Sequence, residues 1–167
     1  MSKIKKITFL SIFVAFSIVL SYVEMLLPPI WSAVPGIKVG LPNVIIIFIL
    51  YKLSFKHAVI TSLIRVFAVA LLFGNVLTLS YSLAGAVLSL TVMFLLKRTA
   101  LFSMVGVSIA GGVVHNLGQI IVAMLVMQTK EIGYYMLVLA VTGVLAGIVV
   151  GLLGALLLKR TEKLKIG

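Results

Sequence analysis

Six long apolar segments, separated by short polar connections, constrain the fold of this chain more than any other feature. They cover approximately residues 7–27, 39–53, 58–73, 79–96, 103–127 and 134–158. A helix needs about 20 apolar residues to cross a hydrocarbon layer of ~30 Å, and fewer where lysines snorkel from its ends. The second and third segments are short, so the connection between them is either a turn or a kink in one hairpin. We predict an all-α integral membrane protein, a single transmembrane domain over residues 1–167 that forms a bundle of six helices.

Composition supports a membrane protein and excludes several kinds of site. Hydrophobic residues make up 63% of the chain and charged residues 10%, against ~45–50% and ~25% in soluble domains. The absence of cysteine excludes disulfides, thiolate nucleophiles and cysteine metal sites. The acidic residues are Glu24, Glu131 and Glu162, without any aspartate. We therefore predict no catalytic residues, no bound metal and no cofactor in this chain.

The net charge of +11 is unevenly distributed between the two sides of the membrane. If both termini share a side, that side receives Lys3, Lys5, Lys6, Lys52, Lys56, Lys97, Arg98, Lys159, Arg160, Lys163 and Lys165. The other side receives Lys38 and Lys130, and Arg65 lies inside the third segment. By the positive-inside rule, both termini are predicted to be cytoplasmic. The charge is then a signal of topology, and nucleic acid is not an expected partner.

Strongly polar side chains interrupt the fifth segment in the stretch VVHNLGQII. His115 lies near the middle of its segment and Gln119 shares its helix face, with Asn116 on the flank. Arg65 lies near the middle of the third segment. Polar groups at this depth usually face the bundle interior. They either form hydrogen bonds between helices or line a solute cavity, and we favour the cavity for all four.

Four further residues are candidates for the rim of that cavity. Glu24 lies in the first segment, outward of Arg65, and is read either as its structural ion-pair partner or as a ligand contact. Asn43 and Asn75 begin helices and are read either as caps or as rim residues. Trp31, in the first outer connection, is either an interfacial anchor or a lid.

Most of the chain, from about Glu24 to Gly151, resembles a known bacterial membrane family. The resemblance is carried by LPNVIIIFILYKLSFKHAVITSLIRVFAVALLFGNVLTLSYSLAGAVLSLTVMFLLKR and by SMVGVSIAGGVVHNLGQIIVA. HNLGQ and the SLxRV…LFGN pattern are its most specific parts. The family is labelled Gx transporter, or heptaprenyl diphosphate synthase component I, and it is similar to the S components of energy-coupling factor (ECF) transporters.

That resemblance implies a function and a set of partners. An ECF S component captures a small solute from outside the bacterial plasma membrane, in the outer half of a six-helix bundle. It delivers the solute with a transmembrane T subunit and two ATPase subunits, which use ATP. S components typically meet the T subunit through an AxxxA motif in the first helix, where this chain has Ser11 and Ala15.

The second family label implies a different function. Prenyl diphosphate synthases bind magnesium and diphosphate through aspartate-rich motifs, because Mg²⁺ prefers carboxylate and other oxygen ligands. This chain contains no aspartate. The alternative is therefore an accessory membrane component of heptaprenyl diphosphate and isoprenoid-quinone synthesis, without the prenyltransferase residues.

Overall fold

A computed structural model of the chain describes residues 3–26 and 40–162, and every regular element in these ranges is helical. The helices are α1 (Lys3–Leu26), α2 (Leu41–Lys52), α3 (Phe55–Phe73), α4 (Val76–Thr99), α5 (Met104–Met127) and α6 (Met136–Arg160), with a 3-10 helix at Lys130–Tyr135 before α6. Five of the six are long and apolar enough to span a membrane. The prediction of an all-α membrane protein with six helices is confirmed.

Successive helices pack side by side in opposite directions. In the first third of α1, Phe9 packs on Phe48 in the second half of α2, with 6.3 Å between ring centroids. Tyr22 near the end of α1 packs on Phe73 at the end of α3, at 5.0 Å. The helix ends therefore lie at two opposite ends of the bundle, and α1 and α3 run in the same direction.

Basic residues collect where α2, α4 and α6 end. The Lys97 ammonium donates to the Leu50 carbonyl at 2.6 Å, and the Lys52 ammonium donates to the Thr161 carbonyl at 2.8 Å. Lysines at helix carboxyl ends satisfy carbonyls that lack an intrahelical partner. We call this the basic end of the bundle, and the other the far end.

The short helix α2 forms the core. Its side chains from Val44 to Leu50 are all buried, and Ile47, Phe48, Ile49 and Leu50 have no exposed surface. With 12 residues it is about 18 Å long, well short of the ~30 Å of a hydrocarbon layer. Because α2 ends at the basic end, it begins near the middle of the bundle. The predicted span 39–53 is thus a buried half-length helix.

Glycines allow α5 and α6 to approach closely. A Cβ on Gly112 would lie 2.4 Å from the Gly143 carbonyl oxygen, and one on Gly147 would lie 2.5 Å from the Ile109 Cα. Bare backbone at such contacts is a common way for membrane helices to pack. The contact fixes α5 against α6 and sets the rotation of the helix that carries the HNLGQ stretch.

Candidate functional site

A cavity of about 220 Å³ lies between the helices, in the space beyond the start of α2. All six α-helices contribute to its wall. The polar lining residues are Ser21, Glu24, Asn43, Arg65, Thr78, Ser82, Ser89, Ser108, His115, Asn116 and Gln119. The six residues in this set that carry a charge, an imidazole or an amide are all among the predicted site residues, and Asn43, predicted at the rim, lies deeper than expected.

The half-length of α2 makes room for this cavity. Gly40 precedes the helix in the left-handed conformation, at φ 78°, and Pro42 follows in the first turn. A Cβ on Gly40 would lie 3.8 Å from Val150 of α6, which is ten residues, or about 15 Å, from the end of that helix. Asn43 therefore lies in the cavity wall near mid-bundle, whereas the sequence suggested the outer end of a full span.

Arg65 is the least compensated polar group in the wall. Its side chain is only 8% exposed, and its Nε is buried without a hydrogen-bond partner among the residues that the structure describes. Counting 1.5 Å per residue from Phe55, it lies about 15 Å along α3, level with the start of α2. An arginine cannot lose its charge at physiological pH, so its position in the cavity favours an anionic or strongly accepting partner.

Glu24 does not serve as a direct partner of Arg65. One carboxylate oxygen accepts hydrogen bonds from the backbone N–H groups of Gly40 and, at 3.4 Å, Leu41. Its charge acts electrostatically on Arg65, but no hydrogen bond joins the two side chains in the described ranges. Glu24 therefore accepts hydrogen bonds at the amino end of α2, which carries partial positive charge. These hydrogen bonds connect α2 to α1.

The polar residues of α5 divide between two roles. The Asn116 side-chain amide donates to the Leu139 carbonyl of α6 at 2.6 Å. His115 packs over Gly85 of α4, where a Cβ would lie 2.9 Å from the ring Cε1. Gln119 lines the cavity and forms no hydrogen bond within residues 3–26 and 40–162. Both interpretations of the HNLGQ stretch thus have a structural counterpart, helix packing at Asn116 and a cavity wall at Gln119.

Asn75 caps α4 at the far end. Its side-chain oxygen accepts from the Thr78 N–H, and its own N–H donates to the Thr78 hydroxyl, both at 2.8 Å. This reciprocal pair is a capping box. Thr78 lines the cavity, whereas Asn75 is exposed and lies beside it. Trp31 lies outside the described residues.

Five polar cavity residues were missed by sequence reasoning: Ser21, Thr78, Ser82, Ser89 and Ser108. Ser82 and Ser89 of α4 both line the cavity, and Ser89 is buried. Their spacing of seven, with Gly85 and Ala86 between them, places four small side chains on one face of α4. That small-residue face was the available signal. Within the described part of the chain, no three metal-binding side chains cluster together.

Ser11 and Ala15 lie on the outer surface of the bundle, on α1. Both side chains are exposed, and the same helix also exposes Ile12, Phe16 and Val19. This face is free to contact lipid or another membrane protein.

A comparison with models of protein families gives a match over most of the chain. The family whose model matches residues 13–157 is described as Heptaprenyl diphosphate synthase component I. No curated protein and no solved structure matches the chain.

Proposed function

This chain belongs to the heptaprenyl diphosphate synthase component I family, and from that premise we propose that it is a solute-capturing membrane subunit. In this proposal it is the S subunit of an ECF-type transporter. It binds a small solute in the cavity beyond α2, and partner subunits drive uptake with ATP.

The observation that carries the proposal is the buried Arg65 in the cavity wall. Burial of a guanidinium whose Nε has no hydrogen-bond partner among the described residues is costly, and such intramembrane charges commonly mark a solute or ion path. A solute that accepts hydrogen bonds from the guanidinium supplies the missing partner. Gln119 of α5 supplies a further hydrogen-bonding group in the same cavity, which favours an oriented ligand.

Cavity size favours a small solute. A volume of about 220 Å³ lies below the ~300–1,000 Å³ of sites for drug-sized ligands. A heptaprenyl chain is too long to be enclosed in such a space. The cavity therefore supports capture of a compact molecule more than storage of a prenyl product.

Charge distribution supports the orientation that uptake requires. The positive-inside rule places the basic end in the cytoplasm, so the far end would face outwards. The wall residues Glu24, near the carboxyl end of α1, and Thr78, near the amino end of α4, lie at that far end. Ser11 and Ala15, exposed on α1, would then contact the T subunit in the cytoplasmic half, and two ATPase subunits would complete the transporter.

The family description favours a second candidate function. Its wording, a synthase component, implies a partner in heptaprenyl diphosphate synthesis. In that role this chain would be the accessory membrane component, because the sequence offers no aspartate for magnesium and diphosphate. Deletion of the gene separates the two: loss of solute uptake with normal quinone content supports transport, and the reverse supports the accessory role.

Native mass spectrometry of the purified protein tests the proposed function directly. We expect a small molecule bound to the chain, together with co-purifying T and ATPase subunits when membranes are solubilised gently. Repeated preparations that carry neither a small molecule nor these subunits would contradict it.

A further inference from the structure

The cavity wall contains opposite formal charges that do not neutralise each other directly. Glu24 is held by the N–H groups of Gly40 and Leu41, whereas Arg65 has a buried Nε without a partner among the described residues. The amino end of a helix carries about half a positive charge, so α2 already offsets part of the Glu24 charge.

The buried guanidinium of Arg65 favours a ligand with one negative charge. Arg65 and Glu24 cancel in formal charge, and the amino end of α2 adds about half a positive charge, so a monoanion leaves the described wall about half a charge negative. A neutral molecule leaves it about half a charge positive and gives the guanidinium no anionic acceptor, whereas a dianion leaves it about one and a half charges negative, which is costly at low dielectric. A phosphate monoester, which carries about −1.5 to −2 at pH 7, is therefore a poorer match than a carboxylate.

The apolar part of the wall indicates the body of the ligand. Besides the polar residues, the cavity is lined by apolar side chains of α3 and α6: Val66, Val69, Ala70, Phe73, Ala146 and Val150. They suit a compact apolar group and offer no second charge. A planar carboxylate can also accept two parallel hydrogen bonds from a guanidinium.

We propose that the solute captured in this cavity is a compact organic monocarboxylate, with its carboxylate on Arg65 and its apolar body against α3 and α6. This inference rests on the proposed capture of a solute and adds its chemical class. The Gln119 amide of α5 lines the same cavity and orients the ligand by a hydrogen bond.

The experiment identifies what the protein carries and whether Arg65 holds it. The full chain, purified in lipid nanodiscs, is denatured, and the released small molecules are analysed by mass spectrometry in both ion modes. The variants are Arg65→Gln, Arg65→Lys and, as a control, Lys130→Gln, which removes one exposed positive charge outside the cavity. Size-exclusion profiles and helical circular dichroism check that each variant is folded.

The expected result is a released monocarboxylic acid from the wild type and from Lys130→Gln. Its amount per protein falls about tenfold or more in Arg65→Gln, since a charge-assisted hydrogen bond is lost. It falls less in Arg65→Lys, which keeps the charge without the planar fork. If Arg65→Gln does not fold, partial loss in Arg65→Lys against full retention in Lys130→Gln supports the assignment.

Other results overturn it in distinguishable ways. A released neutral compound, cation or phosphate ester, or an acid retained fully by Arg65→Gln, refutes the monocarboxylate and leaves solute capture standing. If the wild type releases nothing, benzoate, benzamide and phenyl phosphate are added at equal concentration and thermal unfolding is followed. Stabilisation by benzoate alone supports the inference, stabilisation by either other probe refutes it, and no response to any probe refutes both solute capture and this inference.

Discussion

The side-chain amide of Asn116 in α5 donates a 2.6 Å hydrogen bond to the backbone carbonyl of Leu139 in α6. Three residues further along α5, the amide of Gln119 lines the cavity and bonds no other described residue. Neighbouring amides in one polar stretch therefore differ in what they contact. The difference lets helix packing and ligand binding be tested separately.

Replacing Asn116 by leucine should weaken the contact between α5 and α6. Interhelical hydrogen bonds in membrane proteins contribute on average ~0.6 kcal/mol and at most ~1.7 kcal/mol, so we expect a loss of about 1 kcal/mol. The Leu139 carbonyl keeps a hydrogen bond from the Thr142 hydroxyl at 3.0 Å, which limits the cost. Reversible unfolding in mixed micelles measures the change, and an unchanged midpoint would show that the hydrogen bond contributes nothing.

Replacing Gln119 by leucine should reduce solute binding and leave stability nearly unchanged, the reverse of what we expect for Asn116→Leu. No hydrogen bond to the described residues is lost, so we expect the unfolding free energy to stay within about 0.5 kcal/mol of the wild type. Bound solute should decrease strongly, because the amide that orients it is gone. The solute content of nanodisc preparations measures this effect, with Asn116→Leu as the matched comparison. Full solute retention in Gln119→Leu would remove this residue from the site.

Replacing Arg65 by methionine should abolish solute binding without destabilising the empty protein. A buried charge that lacks a partner is costly, and an apolar side chain of similar length removes that cost. We therefore expect the unfolding midpoint of the empty variant to equal or exceed that of the empty wild type. Lys130→Met serves as the charge-matched control. A loss of ~3–5 kcal/mol, typical of breaking a buried ion pair, would instead identify Arg65 as a structural partner of Glu24.

Replacing Asn75 by alanine should destabilise α4 and leave solute binding unchanged. The side chain caps the helix through the Thr78 N–H at 2.8 Å, and loss of such a cap costs about 1 kcal/mol. We expect that decrease in the unfolding free energy and a normal solute content in the folded fraction. A large loss of solute at unchanged stability would place Asn75 in the site after all.

Much of the fold could be predicted from the sequence, because a bilayer restricts the kinds of backbone structure that can cross it. A segment such as 103–127 is long enough to cross and too apolar for water, so its helix followed directly. The polar stretch around His115 was conspicuous for the same reason. The Asn75-x-x-Thr78 pattern, a local capping box, was also readable, and the cap was one of the two interpretations considered.

Other features depend on contacts between distant residues. An apolar run looks the same whether it faces lipid or protein, so the sequence did not show that α2 is buried in the core. The partner of Glu24 is the backbone at Gly40, sixteen residues away, where no side chain signals the contact. The face of α4 that carries small residues around Ser89 lines the cavity because α4 packs on α5, and this contact between distant residues could not be predicted from the sequence.

Replacing Gly85 by alanine should perturb the cavity from the α4 side. The new Cβ would lie 2.9 Å from both Cε1 and the carbonyl oxygen of His115, so α4 and α5 must separate or the imidazole must turn. Overpacking of this kind typically costs ~1–3 kcal/mol, and we expect a loss of solute beyond the loss of folded protein. Gly106→Ala is the matched control, because its nearest neighbour would be 3.7 Å away and alanine favours a helix by roughly 0.5–1 kcal/mol. Equal solute content in the two variants would show that the position of His115 does not matter for binding.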